Sequence, residues 1–398
     1  MQKIINGFWF QPKKMPKIIV SLLLILLTGC FEKSAELPLA ENVRLEKTSF
    51  SALSGWQNED FASVIEVFAK NCQVILRNSK PYIYDAKIKI STPEYQDVCR
   101  RFANQKISDG KAMKNFIEQN FVPYAVTNNG NADGKFTSYY EAVIRASKTK
   151  HGAYQYPIYG KPNDLIEINL RDFDSELPNT RLVGRIENNK FVPYYNRKDI
   201  ENGNINAPVL MWADDLVDIH FMQIQGSAVA QMDDGSEVRI GFADSNGRKF
   251  KGIGSILIEK GKIRREDSSM PKIREWLRNN PQKAKDLMAE NERFIFQRLT
   301  DTDGPVGAYG ISLTAGRSLA VDNRYIPLGS MMWLDSHNPD NGKIRKIVFA
   351  QDIGSAIKGV VRGDYFWGHG EDALYHAGRM NSTGKYYILA PKNSVKVD

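Results

Sequence analysis

Asp352 and Asp364 stand in a glycine-rich stretch of the chain that also carries Lys358. Residues 347–350 are a short apolar run typical of a buried strand, and the residues after it favour turns. We therefore predict that Asp352 lies where this strand ends, and that Asp364 follows a second short strand at residues 360–361. Two carboxylates delivered to one cleft suit acid–base chemistry, because partial burial raises a carboxyl pKa toward neutrality.

The aromatic residues after Asp364 favour a carbohydrate as the substrate of that chemistry. Tyr365, Phe366 and Trp367 follow directly, and flat aromatic faces suit pyranose rings. The local pattern leaves a second interpretation open. In it the segment is a glycine-rich turn whose aspartates cap turns and whose aromatic rings pack in a core, since turns use the same residue types.

The first thirty residues are typical of a secretory signal rather than of a folded element. Lysines precede an apolar run at residues 18–27, and Leu27-Thr28-Gly29-Cys30 follows. This segment resembles the lipobox of bacterial lipoproteins, which implies cleavage before Cys30, acylation of that cysteine and a lipid-tethered periplasmic domain. Phe31 after the cysteine implies the outer membrane. A transmembrane anchor is the alternative, but the apolar run is shorter than the roughly twenty residues that span a bilayer.

Composition argues against nucleic-acid binding. The formal net charge is +8 for all 398 residues, and it falls to +4 once residues 1–29, with four lysines and no acidic residue, are removed. That surplus is small, and no basic run interleaved with aromatic residues is present. It is compatible with an anionic polymer as partner. The remaining 369 residues are enough for two domains with sizeable cores.

Cys72 and Cys99 are the cysteines that remain once Cys30 is acylated. In an oxidising periplasm an even pair favours one disulfide, which would stabilise the fold by about 3 kcal/mol. Two buried free thiols are the alternative, because the sequence does not show whether the geometry permits a bond.

Hydrophobic periodicity predicts helices near the N-terminus and short strands after them. Apolar residues recur at helical spacing over residues 58–76, Thr92-Pro93 opens a second helix, and a third covers residues 109–121. Two further helices, each opened by a proline, are predicted at residues 271–279 and 281–290. Short strands bounded by turn residues are predicted at residues 135–146, 181–187, 190–194, 217–225, 237–243 and 253–257.

A third aspartate, Asp322, completes a pattern that extends through most of the chain. It stands ahead of Asp352 and Asp364 in Ala320-Val321-Asp322-Asn323-Arg324-Tyr325-Ile326-Pro327-Leu328-Gly329. Four further motifs precede it in order: Phe136-Thr137-Ser138-Tyr139-Tyr140, Leu177-Pro178-Asn179-Thr180-Arg181-Leu182-Val183-Gly184-Arg185, Gln223-Ile224-Gln225-Gly226-Ser227 and Asn246-Gly247. In these motifs the chain resembles the membrane-bound lytic transglycosylases of the A type, whose C-terminal segment is named for three aspartates.

The resemblance implies a mainly β fold. It consists of a double-psi β-barrel domain with N-terminal helices, a smaller inserted β domain, and a groove between the two. The corresponding boundaries are residues 1–29 for a lipoprotein signal peptide, 30–50 for a linker, 51–141 and 243–398 for the barrel domain, about 305–390 for its three-aspartate segment, and 142–242 for the inserted domain.

The resemblance also implies an activity. The family cleaves the β-1,4 bond between N-acetylmuramic acid and N-acetylglucosamine in peptidoglycan, and it leaves a 1,6-anhydromuramic product without using water as the nucleophile. Its catalytic aspartate falls on Asp364, which would act first as acid and then as base. Asp352 and Asp322 fall on the two supporting aspartates. An ionised Asp352 would help to keep Asp364 protonated, although capping a turn is an alternative role for it.

Six further residues are predicted to contact the glycan: Thr137, Gln225, Ser227, Lys358, Tyr365 and Trp367. The first three lie in motifs that line the groove of the family, although each would equally serve as a strand residue bonded to backbone. Lys358 would stabilise developing charge, pair with Asp352 or remain solvated.

The sequence predicts neither a metal nor a cofactor, because its five histidines show no zinc-enzyme spacing and no cysteine cluster accompanies them. The expected partners are peptidoglycan glycan strands, outer-membrane lipid through Cys30, and proteins of cell-wall synthesis or division. The expected location is the periplasmic face of the outer membrane of a Gram-negative bacterium. Two other functions stay open: a non-catalytic, expansin-like peptidoglycan-binding lipoprotein, and a glycan hydrolase with two working carboxylates.

Overall fold

Residues 41–398 are the part of the chain that the computed structural model describes. Cys30 and the predicted signal peptide at residues 1–29 lie outside this range. Eighteen β-strands lie within it: β1 (Val43–Lys47), β2 (Ile88–Ile90), β3 (Phe121–Asn128), β4 (Gly134–Ser147), β5 (Tyr156–Tyr159), β6 (Ile166–Asn169), β7 (Arg181–Glu187), β8 (Lys190–Pro193), β9 (Val209–Ala213), β10 (Ala228–Met232), β11 (Glu237–Ser245), β12 (Ile295–Thr300), β13 (Ser318–Val321), β14 (Met331–His337), β15 (Lys343–Asp352), β16 (Arg362–His369), β17 (Asn381–Pro391) and β18 (Val395–Val397).

The same range contains nine α-helices: α1 (Val64–Arg77), α2 (Thr92–Gln105), α3 (Gly110–Asn120), α4 (Arg197–Glu201), α5 (Leu216–Gln225), α6 (Ile253–Glu259), α7 (Met270–Asn279), α8 (Pro281–Ala289) and α9 (Gly370–Ala377). The predicted mainly β class is confirmed. Within residues 41–398, none of the helices combines the length and the apolar character needed to cross a membrane.

Thirteen of the described strands form one sheet. Its main path runs β1-β3-β17-β14-β15-β13-β16-β4-β10-β11-β12, with β9 pairing β4 and β5 pairing β9. Because β17 also pairs with β4, the six strands β17, β14, β15, β13, β16 and β4 form a closed cycle. The strands that carry Asp352 and Asp364 are separated in this cycle by β13 alone.

Strand β4 pairs with different strands in its two halves. Its first half pairs in parallel with β16, through a register that ends at Glu141 opposite His369. From Ala142 to Ala146 it pairs in parallel with β10 instead. One continuous strand therefore joins the six-stranded cycle to β10, β11 and β12.

The N-terminal helices brace the strand that ends at Asp352. The ring of Phe68 on α1 lies 4.9 Å from that of Phe102 on α2 and 6.4 Å from that of Phe349 on β15, measured between centroids. Cys72 and Cys99 form a disulfide that joins α1 to α2, with 5.5 Å between their Cα atoms. These contacts fix the helical layer against β15.

The predicted helix starts at residues 92, 109 and 281 agree with the structure because each has a local signal. Asp109 precedes α3 and its carboxylate accepts a hydrogen bond of 2.8 Å from the backbone N–H of Ala112, which satisfies one of the unpaired donors of the first turn. Pro93 and Pro281 stand in the first turns of α2 and α8, where no N–H is needed.

The prediction of a strand at residues 217–225 is wrong, because these residues form α5. The carboxylate of Asp215 accepts hydrogen bonds from the backbone N–H groups of Val217 and Asp218, and Gly226 ends the helix with a φ of 91°. The alternation of polar and apolar residues was misleading because His220 and Gln223 are buried together with the apolar residues. A helix buried on most sides shows no simple period.

The prediction of a strand at residues 253–257 is also wrong, because this segment belongs to α6. Ile253, Ile256 and Leu257 are buried and pack with residues of α5, α7 and α8 in one apolar cluster. Their spacing is that of one helical face, so the apolar residues support a helix once these neighbours are known.

Candidate active site

Asp364 lies within β16 and lines a cavity of about 710 Å³. β16 pairs with β13 on one side, where Asp364 faces Ala320, and with β4 on the other, where it faces Thr137. The prediction that Asp364 follows a strand at residues 360–361 is wrong, because the strand begins at Arg362. Asp364 is thus fixed by backbone pairing on both sides.

Thr137 and Arg362 form a chain of hydrogen bonds that ends on Asp364. The hydroxyl of Thr137 donates to Oδ1 of Asp364, and Nη2 of Arg362 donates to Oγ1 of Thr137 at 2.6 Å. Burial raises the pKa of the Asp364 carboxyl, while the Thr137 hydrogen bond and the charge of Arg362 oppose that shift without cancelling it. Within residues 41–398, no hydrogen bond reaches the other oxygen, Oδ2, so that oxygen is available to a ligand in the cavity.

Asp352 ends β15, as the sequence predicted, and its carboxylate is held by several donors. Oδ2 accepts a hydrogen bond of 2.9 Å from the hydroxyl of Tyr139, and Oδ1 accepts one of 3.0 Å from the backbone N–H of Ala308. Burial nevertheless raises the pKa of Asp352 to about 6, and the charge of Asp364 contributes to that rise. Burial is thus the main cause of both raised carboxyl pKa values, and the predicted further help from an ionised Asp352 is not needed to raise the pKa of Asp364.

Asp352 and Asp364 approach the cavity from either side of the same residue. Ala320 on β13 pairs with Asp352 of β15 on one side and with Asp364 of β16 on the other. All three residues line the cavity. The structure therefore brings two of the three predicted aspartates to one site.

Asp322, the third aspartate, is fully buried and does not line this cavity. Its carboxylate accepts hydrogen bonds from the Arg324 side chain, including one of 2.9 Å from Nε, and one of 2.9 Å from the backbone N–H of Gly359. Burial acts to raise the pKa of Asp322, but these donors outweigh it and hold the pKa below its ordinary value. Asp322 thereby anchors the end of the segment between β15 and β16.

Four of the six predicted glycan contacts line the cavity: Thr137, Gln225, Ser227 and Lys358. Gln225 is held in place because its Oε1 accepts a hydrogen bond of 3.1 Å from the backbone N–H of Tyr140. It ends α5, and Ser227, which is buried, lies just beyond it at the entry to β10. Lys358 is exposed and stands in the segment between β15 and β16.

The prediction that Tyr365 and Trp367 contact the glycan is wrong for this cavity. Successive side chains of a strand point to opposite faces, so a β16 that aims Asp364 into the cavity turns both aromatic residues away from it. Tyr365 is buried and donates a hydrogen bond of 3.1 Å to the carbonyl oxygen of Gly316. The ring of Trp367 stacks on that of His376, with 4.5 Å between centroids. Both are packing residues.

Sequence reasoning missed the apolar residues that line the cavity and, apart from Lys358, its basic residues. Phe242, Ile224 and Ile353 line it with 45%, 37% and 44% of their surface exposed, so they present apolar surface to the cavity. Arg362 was missed as well, although its position two residues before Asp364 places it on the same face of a strand. Phe242 gave no local signal, since it approaches the cavity only through the pairing of β11 with β12.

Among the described residues, 41–398, no group of three or more histidine, cysteine, aspartate or glutamate side chains is placed to hold a metal ion. The chemistry that the geometry offers is proton transfer by a partly buried carboxyl beside apolar and hydrogen-bonding surfaces.

Two family models match the chain. The MltA specific insert domain matches residues 135–298, and the 3D domain matches residues 317–390. A crystal structure of MltA from Neisseria gonorrhoeae aligns with a TM-score of 0.77 at 31% identity, over 89% of this chain and 95% of that one. The chain belongs to the membrane-bound lytic murein transglycosylase A family. The predicted family and the prediction of an enzyme are thereby confirmed.

Other members of the family resemble the chain over similar lengths. The membrane-bound lytic murein transglycosylase A of Escherichia coli strain K12 is 28% identical over 323 residues, which is 79% of each chain. A crystal structure of Escherichia coli MltA with bound chitohexaose aligns at 25% identity with a TM-score of 0.60, over 82% of this chain and 90% of that one. The similarity thus includes both the segment matched by the insert model and the three-aspartate segment.

Proposed function

We propose that this chain cleaves the β-1,4 bond between N-acetylmuramic acid and N-acetylglucosamine in peptidoglycan and forms a 1,6-anhydromuramic product, with Asp364 as acid and then base. The observation that carries this proposal is the environment of Asp364, which lines a cavity, has a raised carboxyl pKa and keeps Oδ2 free of protein partners among residues 41–398. A neutral carboxyl with one oxygen facing the substrate is what a general acid requires.

In the first step, Asp364 donates its proton to the glycosidic oxygen. Because Oδ1 accepts the Thr137 hydrogen bond, the transferable proton resides on Oδ2. The C1–O bond breaks, the leaving N-acetylglucosamine keeps the proton as a hydroxyl, and C1 of the muramic residue becomes oxocarbenium-like. The new Asp364 carboxylate is stabilised by the Thr137 hydroxyl and the charge of Arg362.

In the second step, the Asp364 carboxylate takes the proton of the muramic C6 hydroxyl. The C6 oxygen bonds to C1 and closes the anhydro ring, which returns Asp364 to its neutral form. One carboxyl is enough, because the nucleophile belongs to the substrate and needs no second base to activate water. The apolar residues of the cavity, among them Phe242 and Leu313, favour a pocket that holds the sugar rather than water.

The other two aspartates support this site in different ways. Asp352 holds Tyr139 and the backbone at Ala308 through hydrogen bonds, and its charge state affects the local potential at the cavity. Asp322 acts at a greater distance, through the backbone N–H of Gly359. We assign both as positioning residues and Asp364 as the catalytic residue.

The proposed architecture is a double-psi β-barrel domain of residues 51–141 and 243–398, with residues 142–242 inserted as a smaller β domain and the glycan in the groove between them. The closed cycle of six strands supports a barrel. The exchange of β4 partners between Glu141 and Ala142 supports a boundary at that point.

We further propose that acylated Cys30 anchors the chain to the outer membrane, with the catalytic part on the periplasmic side. The lipobox-like sequence before Cys30 and the family's description as membrane-bound support this proposal. Replacing Cys30 by alanine should release the protein from membranes into the soluble periplasmic fraction.

A glycan hydrolase is the second candidate, and one observation favours it. Asp352 and Asp364 both line the cavity, on strands two positions apart, so two carboxyl groups face the same space. Inverting hydrolases separate two carboxyl groups by about 6.5–9.5 Å to admit a water molecule. Against this candidate, the donors already bound to Asp352 leave it poorly placed to activate water.

The experiment that separates these functions is mass spectrometry of digests of peptidoglycan sacculi. Anhydromuropeptides support the transglycosylase, reducing-end muropeptides support the hydrolase, and no soluble product supports a non-catalytic, expansin-like binder. Asp364→Asn should abolish release, with a rate loss of about 10²–10⁴-fold, while sacculus binding is retained. Wild-type turnover by that variant would remove Asp364 from its assigned role.

A further inference from the structure

The cavity has a strong excess of positive charge. Among residues 41–398, five cationic side chains and two acidic ones line it: Arg197, Arg293, Arg298, Lys358 and Arg362 against Asp352 and Asp364. Since burial raises both aspartate pKa values, the negative charge that offsets these cations is smaller than the residue count indicates. The cavity is therefore suited to an anionic ligand.

Two of the five cations have partners that account for them. Nη1 of Arg197 lies 3.0 Å from Oε1 of Glu201, and this ion pair is buried. Arg362 donates to Thr137 and to backbone carbonyl oxygens, so it belongs to the chain of hydrogen bonds that ends on Asp364. Neither side chain needs a ligand to explain its position.

The other three cations are less fully accounted for. Nη1 of Arg293 donates a hydrogen bond of 3.3 Å to the backbone carbonyl oxygen of Arg248, while Arg298 and Lys358 are exposed. Within residues 41–398, no protein carboxylate forms an ion pair with Arg293, Arg298 or Lys358, although many other basic side chains of the protein are paired. Arg293 is partly buried, and burial lowers the pKa of its guanidinium group. Because Arg293 has lost part of its hydration, a ligand carboxylate at this position would be bound more strongly than at a fully solvated arginine.

These cations reach the cavity from two separate parts of the chain. Arg293 and Arg298 lie just before and within β12, and Lys358 lies between β15 and β16. Arg298 pairs with Gly241 of β11, next to the exposed ring of Phe242. Phe242 and Arg298 both line the cavity, so a sugar bound there has an aromatic ring and a guanidinium group in the same space.

We propose that Arg293, Arg298 and Lys358 bind carboxylates carried by the muramic acid residues, so that the cavity distinguishes muramyl strands from neutral chitin-type oligosaccharides. This inference rests on the proposed function in one respect, namely that the glycan occupies the cavity. N-acetylglucosamine has no charge, whereas muramic acid has a lactyl carboxyl group, either free or linked to a peptide that carries carboxylates of its own. Both sources present the group that arginine binds in bidentate fashion.

The test compares three ligands on the full-length protein carrying Asp364→Asn, which prevents turnover. The ligands are chitohexaose, a peptide-free hexasaccharide of alternating N-acetylglucosamine and N-acetylmuramic acid, and the same hexasaccharide with peptide stems. Isothermal titration calorimetry should give a Kd about tenfold or more lower for at least one carboxylate-bearing ligand than for chitohexaose. Raising the salt concentration should weaken that preference.

Charge-removing variants then assign the preference to these residues. Arg293→Gln with Arg298→Gln should remove most of the preference and change chitohexaose affinity less than about twofold, because a neutral sugar loses no ion pair. Arg100→Gln is the control, because it also removes one positive charge, at an exposed position on α2 outside the cavity. If Arg293→Gln does not fold, the exposed Arg298→Gln and Lys358→Gln provide the same comparison.

Equal Kd values for the three ligands, or an equal loss of affinity for all of them in the variants, would overturn the inference. Loss confined to the stem-bearing ligand assigns the carboxylate to the peptide, and loss shared by the peptide-free ligand assigns it to the lactyl group. Failure of the proposed function would be seen separately. A digest that yields reducing-end products would exclude the transglycosylase and leave the ligand preference standing.

Discussion

Thr137 donates its hydroxyl hydrogen to Oδ1 of Asp364 across a separation of 227 positions in the sequence. The contact exists because β4 and β16 run side by side in parallel and place the two residues opposite each other. Arg362 supports it from the same strand as Asp364, through its hydrogen bond to Thr137. The Asp364 carboxyl is therefore oriented by residues of paired strands, not by a loop.

Thr137→Val should move the pH dependence of catalysis. The Thr137 hydrogen bond lowers the Asp364 pKa, so its loss should raise that pKa further. Because Asp364 must be protonated to donate, kcat/KM falls as pH rises through this pKa, and in the variant that fall should occur at higher pH. Arg362→Gln should shift the profile in the same direction, and Thr137→Ser should restore it. An unchanged profile with a uniformly lower rate would assign Thr137 to substrate binding alone.

Asp352→Asn should reduce the pH dependence of stability. The pKa of Asp352 is about 6 in the folded protein, above its unfolded value near 3.9, so folding favours the neutral form. The resulting stabilisation is fully present below about pH 4 and is lost as pH rises through 6, which amounts to about 3 kcal/mol. Urea unfolding at pH 4, 5, 6 and 7 should show a smaller decline in the variant. The exposed Asp303→Asn is the control, and a decline equal to that of wild type in Asp352→Asn would contradict the assignment.

Asp322→Asn should destabilise the protein and displace the segment that follows β15. Because the pKa of Asp322 is lowered in the folded protein, its stabilising contribution is present above the unfolded pKa and is lost as pH falls. The free energy of unfolding of the variant should therefore be about 2 kcal/mol below that of wild type at pH 7, and this difference should narrow toward pH 3. Activity should fall through a lower kcat, with the kinetic pKa of Asp364 unchanged. A shift of that kinetic pKa would instead indicate a direct interaction with the catalytic carboxyl.

Removing the disulfide should lower stability without changing the chemistry. The bond closes a separation of 27 residues, and loss of such a constraint costs about 3.5 kcal/mol on the chain-entropy model. Cys72→Ala with Cys99→Ala should therefore lower the free energy of unfolding by this amount, and kcat should remain within about twofold where the protein is folded. A reductant should lower the Tm of wild type and leave that of the double variant unchanged; equal sensitivity of both would show that the bond is not responsible.

Local signals in the sequence were sufficient for several elements of the fold. Asp109 and the prolines at residues 93 and 281 mark helix starts because first-turn chemistry depends only on neighbouring residues. The apolar run before Asp352 likewise ends where its strand ends. The sequence patterns were misleading where burial came from distant elements: α5 and α6 pack with α7 and α8, and α5 also packs against β4.

The sequence predicted the two aspartates of the site better than it predicted the residues around them. The positions of Asp352 and Asp364 followed from motifs. To see that Tyr365 and Trp367 face away from the cavity, one must know where β16 begins, since a shift of one residue exchanges the two faces of a strand. Phe242 and Arg298 reach the cavity through pairing between β11 and β12, whose sequence separation hides the contact. Arg362 alone was within reach of local reasoning.

The length of β4, which is fourteen residues, affects how a polymeric ligand would be held. One unbroken backbone carries Thr137 beside the acid and continues alongside β10, so there is no hinge between those two points. Narrowing or widening the cleft there would require rupture of main-chain ladders, which are among the most resistant parts of a protein. If the glycan binds as proposed, the saccharide would adapt its pucker and twist to a cleft of fixed width at this point, and any ring distortion would come from the rigidity of the protein rather than from a closing motion.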